Sequence, residues 1–456
     1  MKTMMNPYAP VGQRSGRSVA GLALILISLT GCQSTRPDPA AEDAVTQAVA
    51  LGEPLTFRVE GGPLDEPAAG EALSFLDATR RAVLTDPGLQ GALARVRMAM
   101  ADADQARLLP NPVLSFILRW GSGKPNVEVT LTESIIQVFQ RSSRSSAADN
   151  RLRQAAADAV GDALDVVAAV QELYASVQAE DRLLPVLESR RDLLRRLTEV
   201  ASNRLEAGEG VRGDVTTLDA QRVEMDVELA EAGLRRRTQR LRLAHLIGEP
   251  SGSAAWQLEP WTPPAAVATP EQVWVDLALQ RRPEVQSVAW QLAALGDDYA
   301  LTRLFPWEAS DIGVDAQRPD GWVAGPSVST PLPIFDTGDA RRARVTAEQT
   351  EARHALTTAR RRVVEEVRVA HKALAGNLVN LARVRKDLIP LRQLRRDQAE
   401  EAYRAGLTDV TPLYLAERDL GVTQSQAIEI ERQATVSLVR LQRAVGGPGV
   451  AAEIAK

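Results

Sequence analysis

Cysteine and histidine are the side chains best suited to nucleophilic and metal chemistry, and this 456-residue chain has one cysteine and three histidines. His245, His354 and His371 each stand alone in a helical segment, so they form no ligand cluster. No Gly-x-Ser-x-Gly elbow, P-loop or dinucleotide fingerprint occurs. The chain therefore reads as no enzyme, with no cofactor and no resident metal. Cys32 cannot close an internal disulfide, but its thiol can carry a lipid.

The position of Cys32 favours that use. Lys2, Arg14 and Arg17 precede an apolar run from Val19 to Leu29. About eleven residues suit a signal-peptide core and are too few for a transmembrane helix, which needs roughly 20. The run ends in Leu29-Thr30-Gly31-Cys32, which resembles a bacterial lipoprotein signal, with residues 1–31 removed and Cys32 lipidated. The alternative is an ordinary secretory signal with an incidental cysteine. Gln33 follows, where an aspartate would favour the inner membrane in such lipoproteins. The reading is thus an outer-membrane protein, lipid-anchored and facing the periplasm.

Composition constrains the remainder. A net charge of −5 gives no reason to expect a nucleic-acid partner. Aromatic residues are 4% of the chain, while Ala, Leu, Val, Arg and Glu dominate, the signature of long helices and coiled coils. No second apolar stretch could cross a bilayer as a helix, so a membrane passage must use strands closed into a barrel.

The chain says nearly the same thing twice. Asp86-Pro87 and Arg107-Leu108-Leu109-Pro110 return as Arg282-Pro283 and Arg303-Leu304-Phe305-Pro306, at an offset of 196. Ala207-Gly208 returns as Ala405-Gly406, and Ile247-Gly248-Glu249-Pro250 as Val445-Gly446-Gly447-Pro448, at an offset of 198. Such a unit needs its neighbour to bury its apolar face. We divide the chain into a tether (32–71), a first repeat (72–249), a linker (250–270), a second repeat (271–447) and a tail (448–456). The polar, Pro- and Gly-rich tether reads as extended chain. The Pro-rich linker is expected to pack around the helices midway down.

Each repeat opens with helix. Leu89, Leu93, Val96 and Met100 follow helical spacing, and Asp86-Pro87 predicts a break with Asp86 as cap. Strands follow at about 113–120 and 127–135, where Val127, Val129 and Leu131 alternate with Glu128, Thr130 and Thr132. In the second repeat the strands fall at about 310–317 and 322–331. There Ile312, Val314 and Ala316 alternate with Asp311, Gly313, Asp315 and Gln317. Lipid on one face and water on the other would satisfy this pattern, as would two soluble hairpins on a core. Four strands cannot close a barrel, for which about eight is the minimum. Three copies would supply twelve. Each hairpin then leads into a long helical hairpin. Sixty residues of helix reach roughly 90 Å, comparable to a periplasmic span.

At this point the chain resembles the TolC-type outer membrane efflux proteins. The motifs are Thr330-Pro331-Leu332-Pro333-Ile334-Phe335-Asp336-Thr337-Gly338, similar to the family's strand-to-helix junction, and Tyr403-Arg404-Ala405-Gly406-Leu407-Thr408, similar to its periplasmic turn. The first-repeat junction, Thr132 to Gln140, lacks both prolines. The resemblance implies a mainly α protein with membrane β: a trimeric twelve-stranded outer-membrane barrel continued by a long helical periplasmic barrel, built from two repeats per chain. It implies the channel of a tripartite efflux pump, working with a periplasmic adaptor and an inner-membrane transporter, with heavy-metal cations as one cargo class and drugs as another.

The resemblance also implies site residues. Gly208, Ala405, Gly406, Leu407 and Thr408 match the tips that meet an adaptor. Asp214 and Asp409 stand where family members carry gate carboxylates, which repel across a symmetry axis and prefer cations. Each aspartate can equally serve a helix N-terminus. The rival function is a periplasmic adaptor or coiled-coil scaffold lipoprotein. An adaptor should carry one helical hairpin between compact β domains, whereas two hairpins and two strand pairs are expected here.

Overall fold

Local capping chemistry sets where the helices start and stop. The computed structural model describes residues 40–50, 57–58, 72–121, 125–264, 269–318 and 321–454. The signal segment and Cys32 lie outside the described residues. Helix α1 (Ala40–Val49) comes first, so this part of the tether is not extended chain. Its Val45 and Val49 are one helical turn apart and both are buried, which supplies the apolar stripe that a free tether lacks. Strand β1 (Ala72–Leu73) precedes α2 (Phe75–Thr85) and α3 (Pro87–Arg107). Asp86 separates these two helices, its Oδ1 accepting from the Leu89 N–H at 2.7 Å, with Pro87 at the first helical position.

Strands β2 (Val113–Arg119) and β3 (Asn126–Ser134) follow. Helix α4 (Ile135–Glu206) starts directly at the end of β3 and runs for 72 residues, through Pro185. At 1.5 Å per residue it spans about 110 Å. Gly208, at φ +75°, ends it, and the Glu209 N–H reaches back to the Arg204 carbonyl at 2.8 Å. Only a residue without Cβ takes that left-handed cap at no steric cost. Helix α5 (Arg212–Leu246) returns along α4.

The linker strand β4 (Gln257–Leu258) pairs in parallel with β1. It is tied to α4 by Tyr174, whose hydroxyl donates to the Leu73 carbonyl (2.8 Å) and accepts from the Glu259 N–H (3.0 Å). Burial pushes that phenol up to about 12. Trp256, Ala254 and Leu73 join Tyr174, Val170 and Val177 in one apolar cluster. The linker therefore packs against the helices, as its composition predicts.

Helices α6 (Glu271–Arg281) and α7 (Pro283–Leu304), strands β5 (Asp311–Arg318) and β6 (Val323–Ser329), and α8 (Asp339–Arg383) run in the order seen earlier in the chain. Arg282 stands where Asp86 caps α3, but its side chain gives no cap. It is instead buried and paired with Glu284 at 2.8 Å and Glu366 at 2.6 Å. A π turn (Val384–Leu388) interrupts the outgoing helix before α9 (Ile389–Arg404), which carries Pro390. The missing proline N–H and the wider turn occur together, as expected where a helical ladder loses a donor. Gly406, at φ +72°, ends α9 in the same way as Gly208, with the Leu407 N–H on the Ala402 carbonyl at 3.0 Å. Helices α10 (Thr411–Ala444) and α11 (Pro448–Ile454) complete the chain.

Among the described residues four apolar clusters hold these helices: one joins α1, α3 and α4, one gathers the linker on α4, one joins α6, α7, α8 and α10, and one lies at the turn end. No helix among the described residues is long and apolar enough to cross a membrane.

Candidate functional site: an amphipathic sheet above helical tips

The two hairpins form one antiparallel sheet in the order β2-β3-β5-β6. The central pair joins strands from distant parts of the sequence, from Val127 opposite Arg318 to Ser134 opposite Asp311. Because side chains alternate, this register decides which residues share a face. Leu114, Phe116 and Leu118 share one face with Val127, Val129 and Leu131, with Ile312, Val314 and Ala316, and with Ala324, Pro326 and Val328, and these twelve are apolar. Glu133, opposite Ile312, and Arg318, opposite Val127, lie on the same face at the two ends of the central pair. Phe116 is 64% exposed and Val328 76% exposed on the single chain, so this face has no protein cover from its own chain.

The opposite face carries Ser115 and Arg119, Glu128, Thr130 and Thr132, Asp311, Asp315 and Gln317, and Ser327 and Ser329, with Val113, Ile117 and Val323 on its outer strands. Thr130 donates to Asp315 at 3.0 Å, and Arg119 pairs with Glu128 at 3.0 Å. Within the chain β2 and β6 are edges, each with an unpaired row of backbone groups. In lipid such edges are not tolerated, and closure with further copies removes them.

At the other end of the helices the two turns share one cluster. Val215, beside Asp214, and Val410, beside Asp409, both pack with Leu197, Ala201, Leu218 and Tyr403. The Arg204 guanidinium lies over the Tyr403 ring at 4.7 Å. Asp214 lies in the first turn of α5, and Asp409 accepts from the Thr411 N–H at 3.1 Å. The Asp409 contact is a local one that serves the start of α10. Gly208, Ala405, Gly406 and Leu407 are exposed, Leu407 at 82%, and Thr408 is half-buried.

One cluster escaped the sequence reading. Glu431 on α10, 2% exposed, pairs with both Arg182 of α4 and Arg385 of the π turn. Both guanidiniums sit 5.4 Å from the Trp261 ring of the linker. The signal was available: Leu420, Ala427, Ala434, Leu438 and Leu441 mark one helical seam, and Glu431 is the charged residue within it.

A sheet with one lipid-compatible face, joined to a helix of about 110 Å, has the architecture of an outer-membrane channel chain. The chain belongs to the outer membrane efflux protein family, whose profile matches residues 79–249 and again 274–447. The fold is similar to that of VceC from Vibrio cholerae, at 16% identity and a TM-score of 0.68, covering 82% of this chain and 96% of that one. It is also similar to CusC (15% identity, TM-score 0.69, 87% and 97% covered) and to the open state of the Neisseria gonorrhoeae MtrE channel (16%, 0.65, 87% and 97%). At these identities the likeness is one of fold. No curated protein matches the chain.

Proposed function

We propose that three copies of the chain, anchored through a lipid on Cys32, form the outer-membrane channel of a tripartite efflux pump. Twelve strands close into a barrel, and the two repeats of each copy supply the helices of a tunnel through the periplasm. The observation that carries this reading is the sheet: twelve apolar side chains on one face with charge only at the ends of its central pair, a mostly polar and charged opposite face, and two open edges. A second feature supports assembly. Val223, Val227, Ala230, Leu234 and Leu241 are exposed on α5 at heptad spacing, while Leu218, Met225 and Ala232 bury the helix's other seam. A helix with two apolar seams needs a helix on each side.

The tips, with Gly208, Ala405, Gly406, Leu407 and Thr408, are the proposed contact for a periplasmic adaptor, and Asp214 and Asp409 the proposed gate. The inner-membrane transporter selects the cargo. The Pro331-Leu332-Pro333 junction supports heavy-metal cations, and metal sensitivity of a deletion strain tests that point separately from drug sensitivity. The reading as a whole is tested by fractionation: a heat-resistant trimer in the outer membrane supports it, and a soluble periplasmic monomer overturns it.

A further inference from the structure

The cluster around Glu431 sits where the helices are least able to fix their own alignment. On α10 the turn-end apolar cluster ends at Tyr414 and the upper cluster begins at Leu438. Between them the buried residues of α10 are mostly small or polar, Ala416, Gly421, Thr423, Ala427, Ala434 and Ser437 beside Glu431, with Leu420, Ile428 and Val436 the larger apolar ones. Small side chains offer shallow knobs, and a seam built from them resists sliding weakly. Gly421 leaves room for the Arg190 side chain of α4, whose Cδ would lie 2.3 Å from a Cβ placed there.

The outgoing helices also lose a backbone donor at this level. Pro185 lies three residues beyond Arg182 inside the continuous α4, and the π turn that holds Arg385 precedes Pro390. A helical ladder that lacks a donor bends more readily there. Across this zone one buried carboxylate binds a guanidinium from each outgoing helix. Trp261 closes the cluster, packing against both guanidiniums while its Nε1–H donates to Thr435 Oγ1 at 2.9 Å. The Thr435 hydroxyl in turn donates to the Glu431 carbonyl at 3.1 Å.

We propose that Glu431 is a register pin. Its pair with Arg385 ties α10 to the outgoing helix of its own hairpin, and its pair with Arg182 fixes the axial position of that second hairpin against α4 of the first, and so holds the turns at Gly208 and Gly406 in a fixed relation. A buried ion pair adds little stability over a well-packed apolar substitute, but it is satisfied in only one alignment. A seam slipped by one turn, about 5.4 Å, leaves the Glu431 carboxylate buried without its partners.

The test uses the full chain in detergent with Cys32→Ser and spin labels on cysteines at exposed Glu206 and Glu401. Labelled chains are diluted into unlabelled ones, so the pulsed-EPR distance is read within one chain whether or not the assembly conducts. The expected native distribution is narrow. The variant Arg182→Met, Arg385→Met, Glu431→Met is expected to keep its melting temperature within a few degrees while the distribution broadens or shifts by about one helical rise per turn. Glu431→Gln, which removes the charge at nearly constant volume, is expected to broaden it too. A narrow, unshifted distribution in either variant overturns the proposal. Loss of the melting transition in the triple variant also overturns it, because the cluster would then supply stability rather than alignment.

Discussion

Replacing Val129 by lysine tests the assignment of sheet faces. Val129 is the fourth of nine residues in β3, opposite Phe116 on one side and Ala316 on the other. Thr130 is its neighbour at the strand centre, opposite Ser115 and Asp315, so the two positions sample nearly the same depth but opposite faces. A lysine on the lipid face near the midplane costs about 2–4 kcal/mol. Repeated in three copies, that is about 6–12 kcal/mol per assembly, comparable to the whole stability of many domains. Thr130→Lys loses the 3.0 Å hydrogen bond to Asp315 but places its ammonium beside that carboxylate in water, a net change of about 1 kcal/mol or less. Val314→Lys, opposite Leu131 and Pro326, should behave like Val129→Lys. The assay is the yield of heat-resistant trimer from outer membranes. Strong loss for the two valine variants and near-normal yield for Thr130→Lys is expected. Equal yields for all three would refute the assignment.

Three further outcomes are expected. Cys32→Ser should abolish incorporation of labelled palmitate, and a wild-type protein that takes up no label would end the lipoprotein reading. Asn at both Asp214 and Asp409 should lower the cation preference read from the reversal potential in a salt gradient, with thermal stability unchanged; unaltered selectivity would return both residues to helix capping. Burial alone would raise the Glu284 carboxyl, but the hydrogen bond from Arg282 and the charges of Arg443 and Arg282 outweigh it and hold the group at about 2. Since that lies below an ordinary glutamate at about 4.3, its stabilisation is present above that pH and is lost as pH falls through 2. The side chain is 39% exposed and therefore screened, so the effect is modest: Glu284→Gln should flatten the fall in melting temperature between pH 5 and 2, and an identical slope would contradict it.

The elements that follow from local rules could be read from the chain. Alternation around Val127–Leu131 and Ile312–Ala316 marks strands, Asp86-Pro87 marks a capped helix break, and the repeated Ala207-Gly208 and Ala405-Gly406 fall at the two helical turns. What depends on distant partners could not. The β3–β5 register joins residues far apart in sequence, and no local pattern encodes it. The helical start at Ile135 was hidden because Ile135, Ile136, Val138 and Phe139 suit a strand equally well. Helix α1 was masked by its Pro- and Gly-rich surroundings, and needs Val45 and Val49 buried against the helices to pay its ordering cost. Of the site, the sheet faces and the turn residues were legible. Of the Glu431 cluster the seam showed only the misplaced charge, since its two arginine partners come from other helices that no local pattern joins to it.

The central claim, that this chain assembles into a channel, is tested most directly by planar-bilayer conductance of the purified, lipidated protein. Discrete, stepwise conductance is expected from material that runs as a heat-resistant trimer. Trimeric protein that inserts and gives no current above a detergent blank would contradict it.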